Sequence, residues 1–228
     1  ITLQNTQNPK EILDKLADKK SLENKVLLIV GSVGSGKSTF VDYLQMRALP
    51  KESIESTVWC RLNMNNAPVN NLEIYSWLRK KIVEACRDSL PDVDFDTLET
   101  IKKIYGSEIA KFDKGIGSLY KNSELDYNRE LARFLQEKQN DEQLEAFNHV
   151  KFTSLGREKL CIIVLDNCDK KDKSEQLLMF QVAQWLQSEF KSLVIMPMRD
   201  ETFDNNRYEP PLDTVLKDMV FRIEPPLF

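Results

Sequence analysis

The chain has 228 residues, room for one large or two small domains, and 41% of them are hydrophobic, enough for a buried core. With 32 basic and 36 acidic residues the net charge is −4, so no overall positive field draws nucleic acid to it. No apolar run reaches membrane-spanning length and no secretory signal is present, and Cys60, Cys86, Cys161 and Cys168 form no CxxC pair, so a reduced, cytoplasmic chain with no membrane partner is expected. The lone histidine, His149, rules out a His-rich metal site. Because it begins at Ile1, the chain reads as part of something longer.

Residues 1–24 form an N-terminal segment with a helical stretch, Pro9–Lys19, that either borders a bound base or only packs. Lys25–Val30 is a short, β-rich apolar run, the first expected strand. The next residues, Gly31–Ser32–Val33–Gly34–Ser35–Gly36–Lys37–Ser38, fit G-x-x-x-x-G-K-[ST], the phosphate-binding P-loop. Triphosphate oxygens need many N–H donors at close range, and glycines let the backbone curl around them. Lys37 is expected at the β- and γ-phosphates and the Ser38 hydroxyl at Mg²⁺. Residues Gly31 through Thr39 are thus the expected ATP-binding set. Thr39–Met46, with Phe40, Val41 and Leu44 on one face, is the helix that follows.

Pro50 marks a break, and Ser56–Asn63 reads as a second strand. Asn63–Asn71 reads as a loop, with Asn71 capping a helix over Leu72–Arg87. This completes the first part of a core, residues 25–91. From 92 to 157 the chain turns rich in Lys, Glu, Asp and Asn, with helical spacing at Leu98, Ile101 and Ile104 and again at Leu131, Phe134 and Leu135. It is expected to be a helical insertion with either solvated faces or a partner surface. The core resumes over 158–228. Leu160–Leu165 is fully apolar, as a central parallel strand should be, and Asp166 follows at its end. An acid there, downstream of a P-loop, is expected to hold Mg²⁺ together with Ser38. A helix over Ser174–Phe190 and a strand over Ser192–Pro197 come next. Ligands of such sheets sit beyond the carboxyl ends of the strands, which puts Arg199 beside Lys37 and Asp166, either sensing the terminal phosphate or closing a surface turn. Asp200–Pro211 reads as a polar loop and Met219–Ile223 as a fifth strand.

These motifs resemble the signal-transduction ATPases with numerous domains, the STAND class, with its NACHT and NB-ARC modules among the AAA+-related P-loop NTPases. The resemblance rests on the P-loop, on Asp166–Asn167–Cys168–Asp169 after an apolar strand, and on Pro197–Met198–Arg199–Asp200. It covers residues 25–91 and 158–228. It implies an α/β three-layer core with a parallel five-stranded sheet ordered 5-1-4-3-2, and a helical lid that would begin where this chain stops. Most AAA+ ATPases carry Glu directly after the strand-end Asp to activate water. Asn167 stands there in this chain, so either Asp169 does that work or hydrolysis is slow. The implied catalytic set is Lys37, Asp166, Asn167, Asp169 and Arg199, with Ser38 and Asp166 on the metal. The texture of Leu165–Asp169 and Arg199–Thr202 is similar to bacterial antiviral ATPases of this class.

The expected function is an ATP–Mg²⁺ switch that hydrolyses slowly, self-associates and drives effector and sensor domains outside the chain, in antiviral defence. An AAA+ motor or loader acting on nucleic acid is the alternative, although no basic pore loop supports it. A small-molecule kinase has only Arg129 and Arg133 in its favour, and the N-K-x-D motif of a GTPase is missing after the third strand. In AAA+ relatives an arginine between the fourth and fifth strands often reaches a neighbour's nucleotide, and Arg207 is the candidate here.

Overall fold

The computed structural model describes residues 22–48, 55–68, 70–168, 172–208, 210 and 219–223. The expected helix Pro9–Lys19, the break at Pro50 and Asp169 lie outside the described residues.

Five strands form one parallel sheet in the order β2-β3-β4-β1-β5. They are β1 (Lys25–Val30), β2 (Thr57–Asn63), β3 (Leu160–Asp166), β4 (Leu193–Met198) and β5 (Met219–Arg222). This is the expected 5-1-4-3-2 order. Interior strands of a parallel sheet are covered on both faces, which is why β1, β3 and β4 are near-continuous apolar runs. The edge strand β2 alternates instead: Val58, Cys60 and Leu62 are buried, while Arg61 and Asn63 are exposed.

Helices complete the three layers. On one face α1 (Lys37–Tyr43), which runs on as a π turn over Leu44–Ala48, buries Val41 and Leu44 against Leu27, Ile29, Ile162, Val164 and Ile195. The other face carries α2 (Asn71–Asp88), α6 (Glu142–Thr153) and α7 (Lys173–Phe190). Ile74, Leu78 and Ile82 of α2 and Val182 and Leu186 of α7 are fully buried against this face. Each such side chain contributes about 1.5–3 kcal/mol by leaving water. All four cysteines are free and buried in this same cluster. Burial pushes the Cys60 and Cys161 thiols well up, and Cys86 up to about 11.

Between α2 and β3 lie α3 (Leu98–Ile104), α4 (Gly106–Lys114), a 3-10 turn over Ile116–Tyr120, α5 (Glu124–Gln139) and α6. Phe95, Ile104, Tyr105, Phe112, Leu131 and Leu135 give this region a core of its own. Leu98, which shares its helical spacing with Ile101 and Ile104, is 59% exposed at the first position of α3, while Ile104 is buried. Helix α6 serves both cores. Its Ala146 and Val150 belong to the sheet face, while Phe152 and His149 meet Phe95 of the insertion.

Several boundaries differ from the sequence reading. The cap of α2 is Asn70, not Asn71: its side-chain oxygen accepts from Leu72 N at 3.0 Å, one residue earlier than the apolar spacing indicated. Asp172 and Glu175 form a reciprocal capping box that starts α7 at Lys173. Residues 200–206, read as loop, form helix α8 (Asp200–Asn206), held by burial of Thr202, Phe203 and Asn206. Its acid- and Asn-rich composition mimics a turn, and packing of Phe203 decides otherwise.

Candidate active site

Four chain segments meet at the carboxyl ends of β1, β2, β3 and β4. The loop after β1 is pinned at its start, where Gly31 N donates to Met198 O of β4 at 3.2 Å, and it folds on itself through Ser35 N to Ser32 O at 3.2 Å. A Cβ on Gly31 would lie 2.5 Å from Ser35 Oγ and 2.7 Å from the carbonyl oxygen of Ile223, so no larger residue fits. Gly36 caps α1 with φ of 85°, the left-handed region where a side chain is strained. Ser35 is buried and its Oγ has no partner among the described residues, whereas Val33 projects from the loop at 76% exposure. Ser32 is half-buried; Gly34, Ser38 and Thr39 are exposed. Lys37 Nζ donates to Gly31 O and Ser32 O, both at 2.8 Å, so the ammonium spans the loop it follows.

Asp166 closes β3. One carboxylate oxygen, Oδ1, accepts from the backbone N of Asn167 at 2.9 Å and from Ser38 Oγ at 3.4 Å. The loop and the strand end are therefore joined at the two residues expected to share a metal. Asn167 has φ of 62°, a conformation that Asn tolerates better than most residues, and its Nδ2 donates to Asn63 Oδ1 at 2.9 Å. Its side-chain amide is thus tied to the end of β2. Cys168 follows, with its thiol 3.5 Å from Pro197 O. The β3–β4 ladder stops at Val164 and Ile195, so Pro197, which has no N–H, faces the gap where the two strands part.

Arg61 was not singled out in the sequence. It lies on β2 diagonally behind Asp166, since the register pairs Asn63 with Asp166 and Arg61 with Val164. Its Nη2 and Nε donate to Asp166 Oδ2 at 2.7 and 3.3 Å, and Nη1 donates to Asp42 Oδ1. Burial lowers the pKa of the Arg61 guanidinium, but hydrogen bonds and charge from Asp166 and Asp42 outweigh it and raise the net value. The available signal was the expected strand order: a base two residues from the end of β2 must lie beside the acid ending β3.

Arg199 lies between β4 and α8, directly after the Met198 whose carbonyl binds Gly31 N, and so at the edge that holds Lys37. Arg207 does not stand in an extended loop. It ends α8, with Nη1 3.5 Å from Asp204 and its guanidinium 4.8 Å from the centre of the Tyr208 ring. Among the described residues no group of three or more His, Cys, Asp or Glu side chains gathers at a metal-binding spacing. A hydroxyl and one carboxylate remain, a hard-oxygen pair suited to Mg²⁺, which keeps waters and phosphate oxygens as its other ligands.

A parallel sheet in this order, with a GxxxxGKS loop leaving β1 and an acid at the tip of β3, defines a P-loop NTPase fold. No protein-family profile and no curated protein sequence matches the chain. Among solved structures it is similar to the crystal structure of Cdc6p from Pyrobaculum aerophilum, at 14% identity and a TM-score of 0.41, covering 98% of this chain and 47% of that one. The chain thus spans about half the length of that protein. Among the described residues no helix is long and apolar enough to cross a membrane.

Proposed function

We propose that this chain is the ATP–Mg²⁺-binding switch of a larger signal-transduction ATPase of the STAND class, hydrolysing slowly and driving self-association or effector activation in antiviral defence. The observation that carries the nucleotide part is the convergence of Ser38 Oγ on Asp166 Oδ1, 128 residues apart in the chain, beside a loop closed by Lys37. The buried Ser35 Oγ, without a partner among the described residues, and the lack of room at Gly31 fit a loop shaped by its backbone rather than filled by side chains.

In this reading the loop N–H groups from Gly31 to Thr39 receive the phosphates, and Lys37 exchanges its two carbonyl partners for β- and γ-phosphate oxygens. Ser38 and Asp166 hold Mg²⁺, which when bound neutralises charge on the transferring phosphoryl group. The amide of Asn167 cannot accept a proton in the relevant pH range, so Asp169 is assigned the water and Arg199 the reading of nucleotide state. Phosphoryl transfer has a loose transition state, so positioning matters more than a strong base, and the switch turns over slowly without the usual Glu.

Calorimetric titration with ADP and a non-hydrolysable ATP analogue tests the assignment. Wild type binds both, and Lys37→Ala loses most of the affinity for the triphosphate. Equal affinities for the two proteins overturn it. For hydrolysis, Asp169→Asn is expected to cost about 10²-fold or more in single turnover and Asn167→Ala less. The reverse order transfers the water to the amide.

A further inference from the structure

We infer that Arg61 is a positioning residue that aims the metal-binding carboxylate of Asp166, an inference that rests on the nucleotide reading above. The two oxygens of Asp166 are divided. Oδ2 takes both hydrogen bonds from Arg61, at 2.7 and 3.3 Å, while Oδ1 is left facing Ser38 and the Asn167 amide. Both N–H groups hold the same oxygen, so turning the carboxylate about its Cβ–Cγ bond draws Oδ2 off both donors, and the grip on Oδ2 restrains where Oδ1 points.

The third donor completes a clamp. Nη1 binds Asp42, which lies four residues after Ser38 and so on the same side of α1. One side chain from β2 therefore ties the helix bearing the serine to the strand bearing the acid. It also stands between two carboxylates, Asp42 and Asp166, that would otherwise repel each other across the site. The Asp166 side chain is 14% exposed and that of Asp42 44%, so solvent screens this repulsion only in part, from the Asp42 side. Removing the guanidinium takes a positive charge from beside the ion, which by itself favours metal. It also frees Asp166 to turn and pushes it away from Asp42. The loss of orientation outweighs the charge gain, because among the described residues Asp166 is the carboxylate that meets Ser38, and the ion needs it aimed there.

The test measures ADP and ATP-analogue affinity across a Mg²⁺ series, repeated with Mn²⁺, for wild type, Arg61→Ala, Arg61→Lys and Asp42→Asn, each checked for a native circular dichroism spectrum. Arg61→Ala should leave metal-free nucleotide affinity within about twofold and raise the metal concentration for half-maximal effect by about tenfold or more, the scale of orienting groups around metal ligands. Arg61→Lys, a point charge without the fork, should recover part of this, and Asp42→Asn, which leaves the grip on Asp166, should shift it less than Arg61→Ala. If Arg61→Ala fails to fold, the Lys and Asn variants decide by the same ordering. An unchanged metal midpoint overturns the inference, and a lowered one overturns it in favour of a guanidinium that competes with the ion. A wild type that binds no nucleotide at any metal concentration overturns the nucleotide reading and this inference together. One that binds Mg²⁺–nucleotide indifferently to Arg61 overturns only the second.

Discussion

Gly31→Ala tests whether the loop is as tightly closed as its geometry says. The added methyl would stand 2.5 Å from Ser35 Oγ and 2.7 Å from the Ile223 carbonyl oxygen. The serine hydroxyl can rotate away. The carbonyl cannot follow easily, because Ile223 N is held by Val30 O at 2.8 Å and continues the pairing of β5 with β1. Overpacking of this kind costs roughly 1–3 kcal/mol, offset by about 0.4–1 kcal/mol from the stiffer unfolded chain. A net loss of about 1–2 kcal/mol should lower the melting temperature by roughly 2–8 °C for a chain of this size. Ser35→Ala in the same protein should recover only part of it, since Ser35 Cβ at 3.3 Å and the carbonyl remain. Differential scanning calorimetry of the three proteins reads this directly. A Gly31→Ala melting temperature equal to wild type means that the loop has slack, and that the approach of β5 to the P-loop is not the reason for glycine there.

Three further outcomes are expected. Asp166→Ala should spare much of the metal-free nucleotide affinity and abolish Mg²⁺-dependent hydrolysis; turnover unchanged at saturating Mg²⁺ removes Asp166 from the site. Ile163→Ala, at a fully buried position in β3, should cost about 2–5 kcal/mol by urea unfolding, and a loss under 1 kcal/mol would mean that the sheet face repacks. His149 is buried and held below its ordinary pKa of 6.5, first by burial, so the unfolded chain binds its proton more readily than the folded one. Stability should therefore fall as pH drops below about 6.5, and His149→Gln should flatten that slope in unfolding midpoints taken between pH 7 and pH 5. An identical slope in the variant refutes the assignment to His149.

The strands were legible because burial on both faces leaves little but apolar residues in them: the read limits of β1 agree with the structure, and those of β3 and β4 shift by a residue. The strand order was legible only through the resemblance, since a P-loop alone does not say where β5 pairs. Arg61 was opaque for another reason. Within TVWCRLN it reads as the solvent side of an edge strand, and its partners come from 19 and 105 residues away. Asn167 was read for its chemistry, but its left-handed backbone and its bond to Asn63 arise from where β2 ends beside β3. Helix α8 was missed because DETFDNN has one apolar residue to mark a face.

The four thiols described within one core make the protein its own probe of opening. Cys60, Cys86 and Cys161 are raised far above the range in which thiolate forms, so alkylating reagents meet them only when the sheet exposes them. They lie on β2, α2 and β3, inside the main core, and their labelling rates should converge on the rate of global unfolding. Cys168 sits instead at the parting of β3 and β4, one residue beyond the left-handed Asn167. A faster label there than at the other three separates breathing of the strand tips from loss of the fold, and nucleotide that closes those tips would slow that one thiol alone.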